Sequence, residues 1–191
     1  ALRKLRKVAD ADAELSIKLF YRPPLNWQQI EEYFQPRLIS GVESCVDGRY
    51  LRLLKLGGNY GVIGVTHHAE HDYLTLTVPA HFWEHLQVTI RKTRELFDLD
   101  ADTQGIAADL SCDQSLQQVV TSNPGVRLLG AWDFYELSIR AIVGQQITVA
   151  GAATLTTRLI QSLGEAADGE LPAGLGCLFP TPERVAVADL E

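Results

Sequence analysis

The sequence predicts an α+β fold: a small antiparallel sheet with two helices, followed by a helical part. Three observations predict it. Short alternating or apolar runs between residues 14 and 78 are separated by turn-forming residues. Two segments, after Asn26 and after Pro79, carry helix signals. Beyond about residue 110 no alternating run remains and the pattern is helical.

Each element follows from local chemistry. Glu14–Tyr21 (E-L-S-I-K-L-F-Y) alternates polar and apolar residues, as a half-buried strand does. Pro23-Pro24 ends it, and Asn26 can cap a helix from Trp27 to about Phe34. Strands are expected over Ser40–Val46, Tyr50–Lys55, Tyr60–His67 and Tyr73–Val78. Asp47-Gly48, Gly57-Gly58-Asn59 and Glu70-His71-Asp72 supply the turns between them. A helix from about His81 to Phe97 follows, then a polar connector over Leu99–Ser111. Helices are expected over Gln114–Thr121, Asp133–Val143 and Thr148–Leu163, a loop over Glu165–Gly176, and a helix start at Thr181-Pro182. The composition shift divides the chain into a leader, 1–12, an antiparallel α+β domain, 13–110, and an all-α part, 111–191.

Composition narrows the function classes. The chain has 191 residues, 46% of them hydrophobic, enough for one good core or two small ones. No apolar stretch approaches the length of about 18 residues that a membrane span needs. Cys45, Cys112 and Cys177 are odd in number and far apart, which reads as isolated thiols in a reducing cytosol. A net charge of −7 argues against an extended DNA-binding face and restricts any phosphate contact to a small basic patch. The absence of Met and the start at Ala1 read as a piece of a longer protein.

The most informative run is Trp132–Ala150, W-D-F-Y-E-L-S-I-R-A-I-V-G-Q-Q-I-T-V-A. It reads as an apolar helix, a Gly144-Gln145-Gln146 joint, and a second helix. Phe134, Leu137, Ile139, Ala141 and Ile142 are expected to bury the first helix, with Glu136 and Arg140 paired on its wet side. Two glutamines and a glycine at such a joint put donors, acceptors and a close backbone approach at one exposed corner.

This run, with P-G-V-R-L-L-G-A-W-D-F-Y-E upstream of it, resembles the entry to the helix-hairpin-helix domain of the DNA-3-methyladenine glycosylase II family. Y-R-P-P-L-N-W (Tyr21–Trp27), G-V-E-S-C (Gly41–Cys45), R-E-L-F-D-L-D-A-D (Arg94–Asp102) and F-P-T-P-E-R (Phe179–Arg184) recur in that family in the same order. The resemblance spans roughly residues 14–191. It implies that residues 111–191 are the first helices of an incomplete all-α glycosylase domain, and that the enzyme is bacterial, cytoplasmic and nucleoid-associated.

The resemblance also implies site residues. Gln146, with Gln145 and Gly144, would be the duplex probe, filling the gap left when a nucleotide leaves the stack. Tyr33 and Trp27, with Tyr21 nearby, would face the base pocket, where an aromatic ring attracts a cationic alkylated purine. Trp27 reads more simply as a core aromatic; for Tyr33 both readings stand. The resemblance implies no metal and no organic cofactor, and duplex DNA containing alkylated bases as the partner, without membrane. His67, His68, His71, His81 and His85 have metal-like spacing in part but straddle a turn without a further ligand, and read as solvated. Asp98, Asp100 and Asp102 fail the calcium-loop pattern at Thr103 and Asp109, and read as capping residues. Glu31-Glu32 and Glu43 near Asp47 read as surface carboxylates.

Two family elements are missing from the sequence. One is the Gly-rich hairpin of the form L-P-G-I-G; P-A-G-L-G at Pro172–Gly176 comes too early for it. The other is the later catalytic aspartate, so no catalytic residue is assigned. The expectation is a parent enzyme that hydrolyses the N-glycosidic bond of alkylated purines, and a chain inactive as it stands. The basic leader A-L-R-K-L-R-K resembles the tail of an AraC-type domain, which keeps open an Ada-type regulator with a fused glycosylase-like domain. A non-catalytic DNA-binding or interaction module and an unrelated small-molecule binder are the remaining readings. As a fragment, the chain is expected to expose apolar helix faces.

Overall fold

A computed structural model of the chain describes residues 13–189. The leader, with its reading as an AraC-type tail, lies outside the described residues.

Five strands form one antiparallel sheet in the order β1-β5-β4-β3-β2. They are β1 (Glu14–Phe20), β2 (Glu43–Val46), β3 (Arg49–Leu56), β4 (Asn59–His67) and β5 (Tyr73–Pro79). The turn residues fix the register. Asp47 and Gly48 both take positive φ and join Val46 to its partner Arg49, and Gly57 and Gly58 do the same between Leu56 and Asn59. β2 starts later than expected because Gly41, at φ 97, turns the chain and the amide of Glu43 bonds back to the carbonyl of Ile39. The sheet's inner face buries Leu19, Tyr50, Ile63, Val65, Leu74 and Leu76. Helix α1 (Trp27–Phe34) covers it with Ile30 and Phe34, and the Asn26 side chain caps that helix by accepting from the amide of Gln29.

The stretch expected as one helix from His81 is two pieces. Ala80–His85 is a 3-10 helix, and α2 runs over Leu86–Leu96. The tighter winding carries Phe82 to full burial over Gly61, where an added Cβ would lie 2.8 Å from its ring. It also lets His81 Nε2 reach the carbonyl of Tyr60 at 2.9 Å.

The expected polar connector instead contains α3 (Thr103–Leu110), capped by the Asp102 carboxylate on the amide of Gly105. Ile106 and Leu110 are exposed on it, so the helix has no buried stripe for a periodicity argument to find. Asp98 and Asp100 do tie local structure. The Asp98 carboxylate accepts the amide of Leu128, and Asp100 pairs with Arg94.

Residues 124–132 cross back over the sheet-bearing half as a strap. The amide of Asn26 bonds the carbonyl of Gly125, and the Arg127 guanidinium donates to the main-chain carbonyls of Asp98 and Arg22. Gly130 donates to the carbonyl of Leu96, and Trp132 joins the core.

The helical part comprises α4 (Gln114–Ser122), α5 (Phe134–Val143), α6 (Val149–Leu163) and α7 (Pro182–Ala186), with a two-residue pair of strands, β6 (Glu165–Ala166) and β7 (Cys177–Leu178). Asp113, Asp133, Thr148 and Thr181 cap the four helices with their side chains. P-A-G-L-G at 172–176 packs on Gly41, whose amide bonds the carbonyl of Gly174. No helix among the described residues is long and apolar enough to cross a membrane.

Candidate functional site

A cavity of about 280 Å³ opens between the sheet-bearing half and α5–α6. Its walls include Tyr33 and Arg37 from the first helical segment, Trp132 from the strap, Gly144 and Ile147 from the joint, and Ala152 from α6. Its floor is charged, formed by Glu43, Arg52, Glu136 and Arg140.

Tyr33 is 44% exposed and stands between this cavity and a second one bounded by Asn26, Gln29 and Val126–Leu129. The Arg37 guanidinium lies 4.0 Å above its ring and donates to its carbonyl at 2.9 Å. Trp27 goes elsewhere. It stacks between His67 (5.2 Å) and Phe97 (5.7 Å), packed against the core, and is not among the residues lining either cavity. One face of α1 therefore presents Tyr33 and the other holds Trp27.

The Gly144–Gln146 joint is sharp. Gly144 caps α5 through its amide on the carbonyl of Arg140 at 2.9 Å. A Cβ there would sit 3.0 Å from that carbonyl and 3.7 Å from Ala152, a tight fit that a larger residue could meet only by a small shift. Gln146 has φ 61, a left-handed conformation that costs a non-glycine residue about 1 kcal/mol or more. Its side chain and that of Gln145 are exposed, while Gly144 and Ile147 on either side line the cavity.

Two charge assignments are corrected. Glu136 and Arg140 do not form a wet-side pair: Glu136 is only 4% exposed and Arg140 lines the cavity, whereas Phe134 is 86% exposed. Leu137 and Ile142 are exposed as well. Glu43 is not a surface carboxylate either, being buried. The cause is Arg52, a guanidinium buried in β3 that requires counter-charges. It donates to Glu43 at 2.7 Å and pairs with Glu136, and the Tyr50 hydroxyl also donates to Glu43 at 2.7 Å. Burial pulls the pKa of Arg52 down, but Glu136, Tyr50 and Glu43 together hold it above its ordinary value. Burial and the charge of Glu43 push the Tyr50 hydroxyl well up, so it stays a donor. A charge inside R-Y-L-R-L-L-K-L, flanked by Leu51 and Leu53, was the available signal for this cluster.

None of the five histidines lines the cavity, and His67, His68 and His71 gather where β4 turns into β5. His67 faces the Tyr21 hydroxyl at 3.4 Å, His68 the Thr75 hydroxyl at 2.8 Å, and His71 stacks on Tyr73. Among the described residues no group of three or more His, Cys, Asp or Glu side chains could hold a metal ion. Burial, then the neighbouring His68, lowers the pKa of His67 below 6.5. The folded state therefore takes up this proton less readily than the unfolded chain. The stability His67 contributes is present above the unfolded pKa and is lost as pH falls from about 6.5 toward the folded value. Urea midpoints measured from pH 7.5 to 5 should fall less steeply for His67→Gln than for the unchanged chain.

Residues 16–133 match the model of the AlkA N-terminal domain. The chain belongs to that family. Relatives of this AlkA-type chain include DNA-3-methyladenine glycosylase 2 of Escherichia coli, 33% identical over 171 residues, covering 90% of this chain and 57% of the relative. A protein named as a probable bifunctional transcriptional activator/DNA repair enzyme AlkA, from Mycobacterium tuberculosis, is 29% identical over 175 residues, covering 92% and 35%. The chain thus spans between about a third and somewhat over half of these relatives' lengths. Among solved structures, a 3-methyladenine DNA-glycosylase from Archaeoglobus fulgidus superposes with TM-score 0.68 at 20% identity, covering 90% of the AlkA-type chain and 57% of its own. At that identity the likeness establishes the fold.

Proposed function

We propose that this chain is the sheet domain and opening helices of a monofunctional DNA glycosylase. At its full length the protein flips alkylated purines of the 3-methyladenine type out of duplex DNA and hydrolyses their N-glycosidic bond. The C1′–N bond breaks and the cationic base leaves with the bonding electrons as a neutral purine, while water adds to C1′ and gives up one proton to solvent. The observation that carries the reading is the strained Gln146 turn at the mouth of a cavity walled by Tyr33. A left-handed non-glycine residue is retained where its surroundings over-determine it, and an exposed glutamine there has no packing role. Gln146 is the duplex probe, Gln145 and Gly144 shape its turn, and Tyr33 forms part of the base pocket wall. Trp27 supports α1 from the opposite face. The division near residue 110 belongs to the same proposal, with the 124–132 strap crossing back onto the sheet domain.

The test is release of 3-methyladenine from methylated duplex DNA. Release by the full-length protein and none by residues 1–191 alone is the expected result, because the hairpin and the aspartate are absent from this sequence. No release by the full-length protein overturns the reading and favours a non-catalytic module. The name of the Mycobacterium tuberculosis relative supports a second reading, a regulator fused to the enzyme. A zinc module and an AraC-type helix-turn-helix ahead of Ala1 would establish it.

A further inference from the structure

Helix α5, which leads into the Gly144–Gln146 turn, is held on the sheet in an unusual way. Its only buried residue is Glu136. Phe134, Leu137 and Ile142, the residues from which an apolar seam would be built, are exposed. The helix meets the sheet through charge. Glu136 pairs with Arg52 of β3, which is 3% exposed, and Arg140 lies 3.3 Å from Glu136 and 3.6 Å from Glu43.

The contacts continue in both directions. The second arm of Arg140 donates to the carbonyl of Arg37 at 2.8 Å, and Arg37 in turn grips Tyr33 through its carbonyl and ring. The carbonyl of Arg140 accepts the amide of Gly144. Tyr33 and the Gln146 turn, far apart in sequence, are therefore joined through two arginines over one buried ion network.

We propose that the Arg52–Glu136 pair, continued through Arg140, sets the orientation of α5 and so holds the Gly144–Gln146 turn in place against Tyr33. Arg52, Glu136 and Arg140 are then positioning residues for the probe. The inference rests on the reading of Gln146 given above. The physical ground is directional. An apolar seam fixes a helix weakly against small rotations, whereas a planar guanidinium donates to its carboxylates along fixed directions. Placement matters because a misalignment on the order of 1 Å at a reacting centre costs about a hundredfold in rate.

A neutral pair of substitutions separates positioning from stability. Replacing a buried ion pair by apolar residues of similar volume often leaves stability unchanged or raised. In the full-length protein, Arg52→Met/Glu136→Leu removes one cation and one anion and leaves Glu43 bonded to Tyr50. The thermal midpoint should stay within a few degrees. Hydrogen exchange of the amides at 143–147 should quicken about tenfold without DNA, and kcat for 3-methyladenine release from methylated duplex should fall about tenfold with KM little changed. Should the double variant fail to fold, Arg140→Gln serves, since that side chain is 28% exposed and its loss cuts the link from Glu136 to Arg37 and the longer contact with Glu43 while leaving the Arg52 pairs in place. Unchanged exchange at 143–147 in a folded variant overturns the proposal. Quickened exchange with unchanged kcat upholds the positioning of the turn and instead removes Gln146 from the role of probe.

Discussion

Arg52→Ala will destabilise the fold by about 3–5 kcal/mol, the range expected when one partner of a buried ion pair is removed. Glu43 and Glu136 would remain buried, with only the half-buried Arg140 near both. The cost comes from two carboxylates left without their guanidinium, and truncation of the long Arg52 stem adds a cavity. For a chain of 191 residues this corresponds to a fall in thermal midpoint on the order of 10 °C. The natural control is the neutral Arg52→Met/Glu136→Leu pair, which should keep most of the stability that the single change loses. A single change costing under about 1 kcal/mol by urea denaturation would mean that the network is hydrated in solution.

The second large effect concerns Gln146, proposed above as the duplex probe. In the full-length protein, Gln146→Ala should lower single-turnover excision of 3-methyladenine by about tenfold to a hundredfold. An unpaired base facing the vacated site costs on the order of 1–3 kcal/mol in lost hydrogen bonding, and each 1.4 kcal/mol is tenfold. Gln146→Gly separates side chain from backbone. Glycine accepts φ 61 without strain, so it preserves the turn while removing the amide group. Both variants should therefore lose activity, and activity retained in Gln146→Gly would assign the role to the turn's shape alone.

Much of this fold was legible because its punctuation is local. Asp47-Gly48 and Gly57-Gly58-Asn59 marked turns, the second of which is two residues long because Asn59 already pairs with Leu56, and Asn26 marked the start of α1; all three hold within a few residues of sequence. Thr181-Pro182 announced α7 in the same way. What failed to show is long-range. Periodicity placed the apolar side of α5 inward, yet the partner that decides its orientation is Arg52, 84 residues upstream. Helix α3 was missed for the opposite reason: with Ile106 and Leu110 exposed, nothing distinguishes it from a polar connector except its Asp102 cap. The resemblance put Tyr33 and Trp27 on one pocket wall, whereas the residue type alone read Trp27 as a core aromatic; six residues apart on the helix, Trp27 packs inward and Tyr33 lines the cavity.

The strap has a consequence for synthesis. Arg127 bonds the carbonyl of Arg22, 105 residues earlier in the chain. At a translation rate of about 5–20 residues per second, that carbonyl waits roughly 5–20 s for its donor to leave the ribosome. The hairpins of β2–β5 can form in the meantime from their own turns, but the seam between β1, α1 and α2 closes only after them. Nascent chains of this protein should thus pass through a stage in which the sheet is paired and its edge under residues 22–25 is still wet.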